Sequence, residues 1–160
     1  MNECERIADQ LRRAFEGSAW HGPAMLELLE GVDAAVASAK PMKHVHSIWE
    51  LLLHVEVWDR AAMVRLGGEK CQPKGVDNFP LVKRSTESAW RAAIASANRT
   101  HHQLVKMVEG LPESRLRDRV PGKRYEFYHM LHGIAQHELY HAGQIAILKK
   151  VALSRSSKSS

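Results

Sequence analysis

An all-α fold, a four-helix bundle, is what this sequence predicts, on three observations. Apolar residues recur at helical spacing along four stretches, Gly- and Pro-containing signals divide those stretches, and nowhere does strand-like alternation persist. Long helices joined by short or moderate connections pack as bundles, and sites in bundles usually form in the core from facing helices. The 160 residues suffice for one domain around one core. We expect that domain to span residues 1–153. Residues 154–160, SRSSKSS, have nothing to bury and read as a flexible polar tail.

The first stretch, Cys4 to Phe15, places Ile7, Leu11, Ala14 and Phe15 on one side of a helix. Glu16 to Gly22 interrupts it. Pro23 sits where a first helical turn tolerates proline and opens a shorter apolar piece, Ala24 to Leu29, that stops at Gly31. Ser47-Ile48-Trp49-Glu50 has the form of a capping box, in which the Ser hydroxyl and the Glu carboxylate satisfy each other's backbone amides. The helix it starts should run through Leu66 and end at Gly67-Gly68. It is apolar nearly all round, which suits the middle of a bundle.

Glu69 to Arg84 contains Pro73, Gly75 and Pro80 and reads as a long crossing loop. A third long helix is expected from Ser85, as cap, to Gly110, with Trp90, Ile94, Ala97, His101, Leu104 and Val108 at helical spacing. Leu111-Pro112 breaks it, and the last helix should cover Glu126 to Leu153.

The formal net charge of +5 raises the question of nucleic acid. Its distribution argues against such a partner: Arg115 to Arg124 and the other basic groups are interleaved with Glu113, Asp118 and Glu126, and no reading helix or aromatic-studded basic strand accompanies them. Cys4 and Cys71 show no CxxC spacing, hence neither a disulfide framework nor a cysteine metal site. The N-terminus lacks the apolar core of a signal peptide, and no uncharged apolar run is long enough for a bilayer. No membrane partner and a cytoplasmic location are the expectations.

The last helix carries His137-Glu138-Leu139-Tyr140-His141. Two histidines four apart stand one turn above each other on one face, so both rings can meet one ion. The letters also match HExxH, where in metalloproteases the Glu is a general base. A protease is disfavoured, because no His, Glu or Asp follows His141 to supply a third ligand. The third ligand must come from upstream, and His54 is the candidate: it sits mid-way along the most apolar helix, where an imidazole without a partner would be costly. His101 and His102 are adjacent, point different ways, and read as solvent-facing or singly packed; His44 and His46 lie in a loop. Glu138 is about 100° around the helix from His137. It stands as the candidate catalytic base, with an ion pair or hydrogen bond to a neighbouring segment as the equal alternative. Gln144 and Trp58, each one turn from a candidate ligand, are placed to line a pocket, and His21 to orient a ligand, to cap or to face solvent.

Ser47-Ile48-Trp49-Glu50-Leu51 through His54 and Trp58, followed by His132-Gly133-Ile134-Ala135-Gln136-His137-Glu138-Leu139-Tyr140-His141-Ala142-Gly143-Gln144-Ile145, resembles the DinB superfamily, the YfiT-like metal-dependent hydrolases; Trp20-His21-Gly22-Pro23 is similar to a segment of one branch. The resemblance implies a four-helix bundle in which three histidines bind one divalent metal, zinc or nickel. Matched by motif, these are His54, His137 and His141. It further implies chemistry on a small molecule, either hydrolysis or transfer of a low-molecular-weight thiol, and a homodimer as the assembly. The alternative from another class is a non-enzymatic metal- or ligand-binding protein linked to stress. Histidine ligation also predicts metal affinity that falls as pH drops through the free-imidazole range, around pH 6.5.

Overall fold

The computed structural model describes residues 1–156. It is all-helical: α1 (Glu3–Phe15), α2 (Met25–Leu29), α3 (Ala34–Ser38), α4 (Ile48–Leu66), α5 (Glu87–Glu109) and α6 (Phe127–Ser156), with 3-10 turns at Gly75–Asp77 and Glu113–Arg117. Among the described residues extended pairing is confined to one isolated bridge, Arg119 with Glu126, just before α6. The long helices α1 and α4 each pack on both α5 and α6, and the short α2 and α3 lie against α6 and α4.

Local chemistry sets most boundaries. Asn2 caps α1 in a capping box with Glu5, and Ile7, Leu11, Ala14 and Phe15 are all buried. The box expected at Ser47 forms: the Ser47 amide donates to Glu50 Oε2 at 2.8 Å and the Glu50 amide to Ser47 Oγ at 3.2 Å. At its far end α4 closes in a Schellman turn. The Gly68 amide donates to the Arg65 carbonyl, and the Glu69 amide to the Val64 carbonyl. Gly68 makes that possible with φ of 94°, a region costly for a residue with a Cβ.

Three boundaries differ from the sequence reading. The cap of α5 is Thr86, whose hydroxyl accepts from the Ala89 amide, rather than the neighbouring Ser85. An extra helical turn, α3, follows Asp33, whose carboxylate caps it on the Val36 amide. And α6 continues through Ser156, so the expected tail begins in helix; residues 157–160 lie outside the described residues. No helix among the described residues is long and apolar enough to cross a membrane.

Candidate metal centre

Helix α4 supplies His54 and α6 supplies His137 and His141, and their rings converge. His54 Nε2 and His141 Nε2 each lie 3.0 Å from His137 Nε2. Two nitrogens bound about 2.05 Å from a tetrahedral ion stand about 3.3 Å apart, so this spacing is close to that of a filled site. His54 and His141 are buried and His137 half-buried.

The outer nitrogens fix the tautomers. His54 Nδ1 is 2.7 Å from the Asn78 backbone oxygen. A carbonyl only accepts, so Nδ1 carries the hydrogen and Nε2 presents a lone pair to the centre. His141 Nδ1 donates in the same way to Gln144 Oε1 at 2.7 Å. Two lone pairs therefore face His137 Nε2. One proton there serves one of them well, whereas a cation would accept all three nitrogens. The donor set fits a divalent first-row transition ion. His137 Nδ1 is buried without a hydrogen-bonding partner.

Electrostatics favour the neutral, ligating form. Burial pushes the His54 pKa down to about 4 against the opposing hydrogen bond to the Asn78 carbonyl, with His141 and His46 adding to the fall. His137 drops to about 3, chiefly through burial and then through His141 and His54. His141 is lowered too, again mainly by burial.

The loop between α4 and α5 completes the site. Phe79 stacks on the His54 ring with centroids 3.9 Å apart, and His46 stacks on Phe79 at 3.8 Å. The Asn78 side chain accepts from Trp58 Nε1 at 2.9 Å. Outside the rings opens a cleft of about 460 Å³, walled by Trp58, Tyr125, Met130, Ile134 and Tyr140 together with the three histidines. Arg65 borders it, with its guanidinium held by the Cys71 carbonyl and set over the Trp58 ring.

Glu138 is elsewhere. It is fully buried and does not line the cleft. Its Oε1 is 3.1 Å from His101 Nδ1, which also lies 3.3 Å from Asp59 Oδ2. His101 is thus neither solvent-facing nor singly packed, as the sequence reading had it. It is fully buried, stacked on Phe15 at 4.2 Å, and set between two carboxyl groups. Burial opposes a charge on His101, but Asp59 and Glu138 outweigh it and push the pKa up to about 10. Burial, then Asp59, pushes Glu138 up to about 8, and burial raises Asp59 as well. His102 does face solvent, with its Nδ1 3.4 Å from Glu16 Oε1. His21 is exposed and lies beside Trp20, away from the three-histidine cleft.

The structure brings His54, His137 and His141 together, sets Trp58 on the cleft wall, places Gln144 behind His141 rather than on that wall, and separates Glu138 and His21 from them. Sequence reasoning missed Asn78 and Phe79. The signal for them was slight: one aromatic residue between Asn78 and Pro80 in a polar loop. It missed Asp59 and His101 as partners of Glu138 because they come from three different helices.

The described residues form an all-helical fold, and three imidazoles converging from two of its helices could hold a metal ion. The DinB superfamily model matches residues 19–145, and the chain belongs to that superfamily. No curated protein and no solved structure matches it.

Proposed function

We propose that this protein is a metal-dependent enzyme acting on a small molecule, with one divalent ion, zinc or nickel, held by His54, His137 and His141. The observation that carries the reading is the convergence of three neutral Nε2 atoms at the edge of a cleft, with two of the rings locked in the ligating tautomer from behind. An ion held by these three histidines would lie beside that cleft and would supply Lewis-acid activation of a water or thiol, the chemistry that hydrolysis and thiol transfer share. The chain's own residues do the rest. Asn78 and Gln144 hold the rings, Phe79 covers one face of His54, and Trp58, Tyr125 and Tyr140 offer an apolar wall to the organic part of a substrate. Two free cysteines without disulfide spacing accord with a cytoplasmic setting.

Elemental analysis followed by a screen of ester and amide substrates, and of electrophiles with low-molecular-weight thiols, tests the proposal. Turnover should vanish with chelator, return with metal, and be absent from His54→Ala. Metal binding without turnover on either panel would leave a non-enzymatic metal-binding protein. Glu138, in this reading, is a scaffold residue of the core. Glu138→Gln should keep turnover while lowering thermal stability; a loss of about 10²–10⁴-fold in turnover with metal binding intact would restore it as general base.

A further inference from the structure

Behind the three-histidine site, Asp59 of α4, His101 of α5 and Glu138 of α6 meet in the core with exposures of 1%, 0% and 0%. Their ligand-type atoms all lie within 4.8 Å of one another. We propose that this cluster is a second, structural cation site, which takes a divalent first-row ion such as zinc or manganese on Asp59, His101 Nδ1 and Glu138.

Three features carry the proposal. The first is unpaired oxygen. Asp59 Oδ1 and Glu138 Oε2 are buried with no hydrogen-bond partner, and Glu138 Oε1 has only the 3.1 Å approach of His101 Nδ1, although buried carboxylates ordinarily accept several bonds. A proton on His101 Nδ1 serves one oxygen of each carboxyl group and leaves Asp59 Oδ1 and Glu138 Oε2 without a partner, whereas carboxylates chelating an ion would use them. The second is spacing. His101 Nδ1 lies 3.1 Å from Glu138 Oε1 and 3.3 Å from Asp59 Oδ2, near the roughly 3.3 Å between ligands on a tetrahedral ion with bonds of about 2.0–2.1 Å. The third is charge. Two carboxylates and a neutral imidazole carry two negative charges in a dry core, and one dication cancels both where protons must come in two. Mixed carboxylate and imidazole donors suit zinc, iron and manganese.

Burial gives the second ion a property that the first lacks. The three histidines border a cleft, so a chelator can reach their ion; no atom of the inner cluster is open to solvent in this way. The inner ion must be loaded as the chain folds and should leave only when it unfolds.

The test is metal stoichiometry on the full chain, produced in medium supplemented with zinc and manganese. Dialysis of the native protein against chelator should remove one ion per chain and leave one, which guanidinium then releases. His54→Gln with His141→Gln should lose the chelator-labile ion alone, and Asp59→Asn with Glu138→Gln the resistant one alone. The two variants keep failure of the inner site distinct from failure of the three-histidine reading. Complete removal by chelator without unfolding, absence of any resistant ion, or its persistence in the Asp59/Glu138 variant would overturn the inner site and leave a cluster held by protons. If that variant fails to fold, the resistant ion in wild type and in the His54/His141 variant decides the matter.

Discussion

Two clusters share the same pair of helices and have opposite characters. His137 and Glu138 are neighbours on α6, and His54 and Asp59 are five apart on α4, yet one residue of each pair joins an imidazole cluster at a cleft and the other joins a carboxyl-rich cluster in the core. Burial acts on both, and the charge of the neighbours decides the result. Imidazoles among imidazoles lose their protons, with His54 and His137 held far below the usual range. An imidazole among carboxyl groups keeps its proton, and the carboxyl groups hold theirs more tightly as well. One step along a helix is therefore enough to change which cluster a side chain joins.

The largest expected effect separates the clusters by stability. His101→Leu strands two buried carboxyl groups and should cost about 3–5 kcal/mol in denaturant unfolding. His54→Leu in metal-free protein loses a hydrogen bond between neutral groups and should cost about 1 kcal/mol. Equal losses would break the comparison. Next comes metal affinity, read by calorimetry. Gln144→Ala removes only the support behind His141 and should weaken binding by about 10–100-fold, the usual effect of an outer partner. His54→Ala removes a ligand and should weaken it more than that.

The pH dependence sharpens the contrast. Because His54 titrates at about 4 and His137 at about 3, protons should compete with metal well below the pH 6.5 that free imidazole suggests. In metal-free protein the unfolded chain takes up these protons first, so stability should fall as pH drops from 6.5 toward 4. His101 has the opposite sign. With a folded pKa raised to about 10, its contribution in metal-free protein is full below 6.5 and is lost as pH rises through 10. Melting temperatures of wild type and His101→Leu across pH would show whether these two slopes separate. The smallest effect belongs to Asn78→Ala. It removes the acceptor for Trp58 and should cost about 1 kcal/mol. Metal affinity should be unchanged, since His54 rests on a backbone oxygen.

The parts of this molecule that were legible in the sequence are those written within one helix. The i, i+4 spacing of His137 and His141, the Ser47–Glu50 box and the apolar face of α1 each depend on a repeat that the chain states locally. His54 was legible for a related reason, as a polar residue out of place in an apolar helix. What stayed hidden depends on tertiary placement. Glu138, His101 and Asp59 lie on three helices and are joined only by packing, so the HExxH letters left open whether Glu138 faces the three histidines or another segment. Asn78 and Phe79 come from a loop whose path over α4 no periodicity records. The choice of Thr86 over Ser85 as a cap turned on one residue of backbone direction between two equivalent hydroxyls.

The backbone hydrogen bond from His54 to Asn78 has a consequence for how this site can drift over generations. The side chain at position 78 can change without removing the oxygen that sets the tautomer of His54. What cannot change freely is the length of the segment from Gly67 to Phe79, since one inserted or deleted residue there would shift that oxygen, and Phe79 with it, relative to the ring. The ligand is guarded by the count of residues in a loop more than by their identity. Related chains that keep the three histidines should therefore tolerate substitutions at position 78 far better than changes of spacing between Gly67 and Phe79.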